Sequence, residues 1–228
     1  MQKQGSAGIA ASYILAIKQN RHFLQDSDLA SDMRSANVTA NTIAFRKEED
    51  ATGILANTAT TPFHAEGKSF KSAEHYFHYQ KLKLLEQKGL LKPGETADKV
   101  FGEFEDEEGS NLQAFMNGKS YAVPEEWYKH THRLREKAMW ETLTHKYKSC
   151  KEFRIMMNEI SRCKVNVWEW RESDQEWGKT ASKGGKNLAG RLLTGFARQI
   201  TLTEPYDEKN EYQTQDYQKE YVPGEDEF

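Results

Sequence analysis

Cysteine is scarce in this chain: Cys150 and Cys163 are the only two among 228 residues. They lack the spacing of a metal site and no secretory signal precedes them, so we expect reduced thiols in a cytoplasmic protein. No apolar run approaches the roughly 20 residues that a membrane-spanning helix needs. The apolar stretch 9–17 is too short. We therefore expect no membrane association.

The C-terminal segment has little basic charge. Residues 204–228 contain nine Asp and Glu against two Lys, whereas the whole chain carries a net charge of −3. This segment therefore holds −7, and residues 1–203 hold +4. Because the segment has few aliphatic side chains to bury, we predict a disordered acidic tail. The mildly positive remainder suits a ligand that bears phosphate, but it does not by itself indicate nucleic-acid binding.

Short predicted strands mixed with longer helices favour an α+β fold. We predict strands near Ile43 and at 68–70 and 164–170, and helices that begin at Ser72, 124, 150 and Leu188. This pattern predicts a single, mainly helical domain at 41–203 with a few short strands, preceded by a helical extension at 1–40. Residues 86–111 are charged and poor in apolar side chains, so we interpret them as an inserted surface loop.

The helix that begins at Ser72 is the most informative element. At about 100° per residue, Glu74, His78 and Lys81 point to the same side as Phe77. Burying a carboxylate, an imidazole and an ammonium is costly unless they are paired. We therefore predict that this face is the wall of a site. The alternative is a surface helix with an ordinary contact between residues 74 and 78. The opposite side carries Tyr76, Tyr79, Gln80 and Lys83.

Two further segments carry groups suited to a ligand. The strand at 164–170 places Glu169 on an otherwise apolar face. The loop before the last helix contains Gly184 and Gly185, which permit close backbone approach, and Asn187, which can cap the helix. Backbone amides there favour an anion, although a plain tight turn is the alternative. The basic run over 129–148 is either a solvated helix face or a surface that follows a phosphate backbone.

Four segments together resemble the NADAR (NAD- and ADP-ribose-associated) family over residues 43–200. They are G-I-L-A-N (53–57), S-A-E-H-Y-F-H-Y-Q-K (72–81), W-E-W-R-E-S-D-Q-E-W-G (168–178) and G-K-N-L-A-G-R-L-L (185–193). The family patterns they match are S-E-H-Y-F-Q-A-Q-K, E-x5-D-x2-W-G and G-x-N-x2-G. The chain departs from the family at Thr58, where an aromatic is usual, at His78, where Gln is usual, and at Ala189, where Leu is usual.

The resemblance implies an N-glycosidase-like pocket for a ribosyl compound, with no metal and no cofactor. Cleavage of a ribose C1–N bond develops positive charge at C1, and Glu74 is implied to stabilise it. Lys81 is either an electrostatic partner of Glu74 or an amine that forms a Schiff base with C1. Asp174 or Glu169 is implied to act as a base or to bind ribose hydroxyls. The implied substrate-binding residues are Asn57, Arg46, Glu169, Trp177, Gly178, Gly185, Lys186 and Asn187.

Structural alternatives accompany these roles. Asp174 suits an Asx-turn, Trp177 a position in the core, and Asn57 a turn. Three functions remain open. The favoured one is an N-glycosyl hydrolase, similar to ADP-ribosylglycohydrolases, that removes ADP-ribose from ADP-ribosylated guanine in a nucleotide, DNA or RNA. The second is hydrolysis of riboflavin-biosynthesis intermediates, and the third is a non-catalytic sensor of NAD or ADP-ribose. The oligomeric state stays open.

Overall fold

A computed structural model describes residues 42–46, 52–106, 121–129, 133–171, 173–180 and 184–200. The predicted extension at 1–40 and acidic tail at 204–228 lie outside these residues. The fold is α+β, as predicted, with six helices and four short strands among the described residues. The elements in chain order are β1 (Thr42–Phe45), a 3₁₀ turn (Gly53–Leu55), β2 (Thr60–Ala65), β3 (Lys68–Ser72), α1 (Ala73–Gln87), α2 (Ala97–Asp106), α3 (Glu125–Tyr128), α4 (Leu134–Ser149), α5 (Lys151–Cys163), β4 (Asn166–Glu169) and α6 (Leu188–Gln199).

Strands β1 and β4 pair in parallel, with Ile43 opposite Val167. Side chains of α6 and of Asn187, the residue before it, bond to backbone groups of β4. The Val167 amide donates to Thr194 Oγ1 at 2.9 Å, and the Glu169 amide donates to Asn187 Oδ1 at 2.9 Å. Asn187 Nδ2 also donates to the Val167 carbonyl at 3.0 Å. Buried and exposed residues do not alternate along β4, because Val167, Trp168 and Glu169 are all buried.

Strands β2 and β3 form an antiparallel hairpin. Its turn, Glu66-Gly67, has φ of 51° and 73°, the left-handed conformation that suits two-residue hairpin turns. Pro62 lies within β2, although proline cannot donate a hydrogen bond to a strand ladder. In the structure the register of the hairpin shifts between Thr60 and Phe63, which accommodates the proline.

Helix α1 lies between two hydrophobic clusters. Its N-cap is Ser72, as predicted, and the Ser72 hydroxyl accepts the His75 amide at 3.4 Å. Phe77 packs in the larger cluster, which α4, α5, α6 and the β1–β4 pair also build. Tyr76 and Tyr79 pack in the smaller cluster with the hairpin and α2. Both sides of α1 are therefore buried, and not only the side that carries Glu74.

The interpretation of 86–111 as a surface loop is wrong for its central part. Helix α2 buries an apolar face made of Ala97, Val100, Phe101 and Phe104. The Phe101 ring lies 5.4 Å from the Phe70 ring and 5.3 Å from the Tyr79 ring, measured between centroids. These positions have helical spacing, but the surrounding acidic residues obscured the pattern.

The predicted helix over 124–148 is divided into α3 and α4, and Arg133 before α4 has a φ of 50°. Within the described residues, none of the helices combines the length and apolar character needed to span a membrane.

Candidate active site

The Asn57 loop (residues 53–57) joins the first turn of α1. The Glu74 amide donates to the Asn57 carbonyl at 2.9 Å, so this loop is fixed beside the helix N-terminus. The Glu74 side chain is 26% exposed, and its Oε1 lies 3.8 Å from His78 Nε2. The Glu74 carboxylate thus remains within reach of a ligand at the end of a buried helix.

His78 and Lys81 are buried on the face of α1 that carries Glu74, each with 5% exposure. Burial lowers the pKa of His78 to about 3, and the charge of Lys81 adds to that decrease, so this imidazole is neutral near pH 7. Burial also lowers the pKa of Lys81. Among the described residues no hydrogen bond or ion pair to Lys81 is found. The alternative of a surface helix is therefore wrong, although its contact between Glu74 and His78 is present.

The Trp177 loop (residues 174–178) lies beside this face. The Trp177 ring meets the Phe77 ring edge to face, with 5.3 Å between centroids. Asp174 Oδ1 accepts the amides of Glu176 and Trp177 at 3.0 and 3.1 Å, which is the Asx-type turn considered as the alternative for Asp174. Asp174 therefore shapes the loop that presents Trp177, and its role as a base stays a prediction.

Glu169 brings a second carboxyl group to this region from the end of β4. It is 8% exposed, and its Oε2 has no hydrogen-bond partner among the described residues. Burial raises the pKa of Glu169 to about 7. The negative charges of Asp174 and Glu74 raise this pKa further, whereas Arg171, with Nη1 3.5 Å from Glu169 Oε1, opposes the increase. Burial therefore favours the neutral form of Glu169, and its pKa lies close to neutral pH.

Backbone amides that follow Gly185 bond within the protein, at the place where the sequence predicted an anion site. The amides of residues 186–189 donate to the carbonyls of residues 175–178 at 2.8 to 3.2 Å. These amides are therefore not available to phosphate, and the predicted backbone-amide anion site is not formed. Lys186 Nζ pairs with Glu176 Oε2 at 2.8 Å. Asn187 makes no side-chain cap, because its amide group holds β4.

The other predicted ligand residues have contacts inside the protein. The Arg46 guanidinium lies 5.2 Å from the centroid of the Trp170 ring. The Gly178 amide donates to the Asp174 carbonyl at 2.9 Å. Their roles in substrate binding stay predictions. Within the described residues, no cluster of three or more His, Cys, Asp or Glu is arranged to hold a metal ion.

Comparison with known proteins identifies relatives that carry a functional name. The chain is 25% identical over 160 residues to the N-glycosidase YbiA of Shigella sonnei (strain Ss046), and equally to that of Escherichia coli (strain K12). Each match spans 70% of this chain and 89% of the relative. The chain is therefore similar to the YbiA N-glycosidases. The predicted resemblance to the NADAR family is thereby confirmed.

An NMR structure of the E. coli protein YbiA resembles this chain, and the match covers 70% of this chain and 84% of the YbiA chain. Its sequence identity is 22% and its TM-score is 0.47. No protein-family model matches the chain.

Two residues that hold the candidate site were not identified as such from the sequence. Arg135 and Lys146 were assigned to a basic helix flank, but they are 7% and 0% exposed. Arg135 Nη2 pairs with Glu176 Oε1 at 2.8 Å, and Lys146 Nζ donates to the carbonyls of Ile54 and Ala56. The sequence signal for this arrangement is their spacing of eleven residues, which places both on one face of α4.

Gly185 should be needed for folding more than for ligand binding. Its φ is 121°, and an added Cβ would lie 2.4 Å from the Gly178 carbonyl oxygen. We expect Gly185→Ala to lower the free energy of unfolding by about 2 kcal/mol or more, measured by denaturant titration. Gly184→Ala is the matched control, because Gly184 has φ of 71° but nothing within 4 Å of the added Cβ. Equal losses in the two variants would contradict the close packing described here.

Proposed function

We propose that this protein is an N-glycosidase that hydrolyses the bond between ribose C1 and a nitrogen leaving group. The proposed substrate is ADP-ribosylated guanine, from which ADP-ribose is released. The observation that carries the proposal is a pair of carboxyl groups in unlike environments. Glu74 is partly exposed at the first turn of α1, and Glu169 is buried at the end of β4 with an oxygen that has no hydrogen-bond partner among the described residues. The name of the relatives, N-glycosidase YbiA, supports the same reaction class.

Glu74 is assigned to stabilise the transition state. As the C1–N bond breaks, positive charge develops on C1 and the ring oxygen of the ribose. A carboxylate beside C1 is worth most when it is held in place and partly removed from water. Glu74 meets this requirement because α1 fixes its backbone and the Asn57 loop accepts its amide.

Glu169 is assigned as the general acid. Its proton passes to the leaving nitrogen as the C1–N bond breaks, which releases the base in its neutral form. The ionised Glu169 then accepts a proton from the water whose oxygen bonds to C1, and this restores the starting state. Glu169 is favoured over Asp174 for this role because Asp174 Oδ1 already accepts two loop amides. A carboxyl group whose pKa is raised by burial, as that of Glu169 is, suits the role of a general acid.

Trp177 and Lys81 are assigned roles in direct contact with the substrate. The half-buried Trp177 ring offers a flat surface for a base or a ribose. Lys81 either attracts the anionic substrate as an ammonium or attacks C1 as a neutral amine, and its lowered pKa is compatible with both.

Because Arg135 and Lys146 are buried, α4 does not form a continuous phosphate-binding surface. The proposal therefore commits to the modified base and not to flanking nucleic acid.

The test is product release from defined substrates. The protein is incubated separately with ADP-ribosylated guanosine, with a DNA oligonucleotide that carries the same modification, and with riboflavin-pathway intermediates. We expect free ADP-ribose from the modified guanosine, with Glu74→Gln as a control that releases it far more slowly. Release of ribose 5-phosphate from the riboflavin intermediates alone would replace the proposed substrate. Binding of ADP-ribose without any turnover would indicate a sensor and contradict the proposed reaction.

A further inference from the structure

We propose that α4 positions both loops of the candidate site through two buried cations, Arg135 and Lys146. This inference names positioning residues for the proposed reaction and rests on that function. The two residues are eleven positions apart, which is three helical turns and about 20°. They therefore lie on one face of α4, about 16 Å apart along its axis. Each residue is distant in sequence from the loop that it contacts, so local structure does not explain the contact.

Lys146 holds the Asn57 loop. Its Nζ donates to the Ile54 carbonyl at 2.8 Å and to the Ala56 carbonyl at 3.0 Å. The ammonium also lies 4.6 Å from the centroid of the Phe153 ring. The loop in turn accepts the Glu74 amide through Asn57. Lys146 thus determines where the Asn57 loop meets the residue assigned to stabilise charge at C1.

Arg135 holds the Trp177 loop. Its Nη2 donates to Glu176 Oε1 at 2.8 Å and to the Tyr128 carbonyl at 3.4 Å. Glu176 precedes Trp177, and its other carboxylate oxygen pairs with Lys186. The buried guanidinium therefore links α3, α4 and the loop that presents the Trp177 ring. Side chains of one rigid helix thus set the separation of the two loops, and reactivity depends steeply on such separations.

Amide hydrogen exchange tests the two attachments separately and without substrate. In Lys146→Met, exchange of the Ala56 and Glu74 amides should be at least about tenfold faster than in the wild type. In Arg135→Met, the same acceleration should appear at the Leu188 and Ala189 amides, which donate to carbonyls of the Trp177 loop. Each variant should leave the reporter amides of the other loop unchanged.

Kinetics on ADP-ribosylated guanosine then test the effect on the site. A displacement of about 1 Å remote from the chemistry costs on the order of 10²-fold in rate, so we expect kcat/KM to fall by about that factor in each Met variant. Lys146→Met should act mainly on kcat, through Glu74, and Arg135→Met mainly on KM, through Trp177. The conservative Arg135→Lys should restore part of the lost affinity because it keeps one ion pair with Glu176.

Arg154→Met is the matched control. Arg154 Nη1 also donates to backbone carbonyls, those of Tyr147 and Lys148 at the end of α4, and its loss should change neither reporter set. Faster exchange throughout the protein, or no change at the reporters, would overturn the positioning role. If a Met variant does not fold, Lys146→Gln and Arg135→Gln remove the charge while keeping a polar side chain, and unchanged exchange and kinetics in both would overturn the positioning role. Absence of turnover in the wild type would contradict the proposed function alone, because the exchange measurement needs no substrate.

Discussion

Replacing Glu74 by Gln should slow product release by on the order of 10²–10³-fold, which is typical for the loss of one well-placed transition-state interaction. Gln keeps the size of the side chain and much of its hydrogen bonding, so only the negative charge is removed. The positive charge at C1 exists in the transition state and not in the bound substrate. Substrate affinity should therefore change far less than kcat.

Single-turnover and steady-state rates on ADP-ribosylated guanosine measure this effect. Glu86→Gln is the matched control, because Glu86 is an exposed carboxylate on the same helix. The control should retain wild-type kcat and KM. A Glu74→Gln variant with full activity would remove the main argument for catalysis by this face of α1.

Replacing Glu169 by Gln should lower kcat by on the order of 10²–10⁴-fold, which is the usual contribution of a positioned general acid. The amide cannot supply the proton that the leaving nitrogen needs. The pH dependence gives an independent test. Because the pKa of Glu169 is raised to about 7, wild-type kcat should fall as the pH rises through this value. The residual activity of Glu169→Gln should lack that fall, and a variant with the wild-type pH profile would contradict the assignment.

The same group links stability to pH with a definite sign. The pKa of Glu169 is about 7 in the folded state against an ordinary value of 4.5, so between these values the folded state binds more protons than the unfolded state. The free energy of unfolding should therefore decrease by about 3 kcal/mol as the pH rises through this window, from this group alone. Glu169→Gln should be as stable as the wild type below pH 4.5 and more stable above pH 7. Denaturant titrations at pH 4 and pH 8 measure the difference.

Local sequence was sufficient to predict the N-cap of α1 and the face that its polar residues share. Ser72 is an N-cap because a short hydroxyl side chain before a helical run accepts a first-turn amide, and the structure confirms that bond. The spacing of Glu74, His78 and Lys81 determines that they share a face, since helical periodicity acts over only a few residues. The residues of both candidate loops were likewise named from the motifs in which they occur.

Contacts between distant segments decided the remaining features. The raised pKa of Glu169 arises first from burial at the end of β4 and then from the charges of Asp174 and Glu74, which belong to other segments of the chain. The amides of residues 186–189 looked available for phosphate, but carbonyls of a separate turn accept them.

The sequence by itself determined which residues cap a helix and which share one of its faces, because capping and periodicity depend on neighbours within one or two turns. Tertiary structure decided which charged side chains are exposed to water and which are buried. Lys146 and Ile54 are 92 residues apart, and only the packing of α4 against the Asn57 loop makes a basic helix residue into a buried support. Burial and charge pairing depend on what the rest of the chain places nearby, and a local pattern of charge does not contain that information.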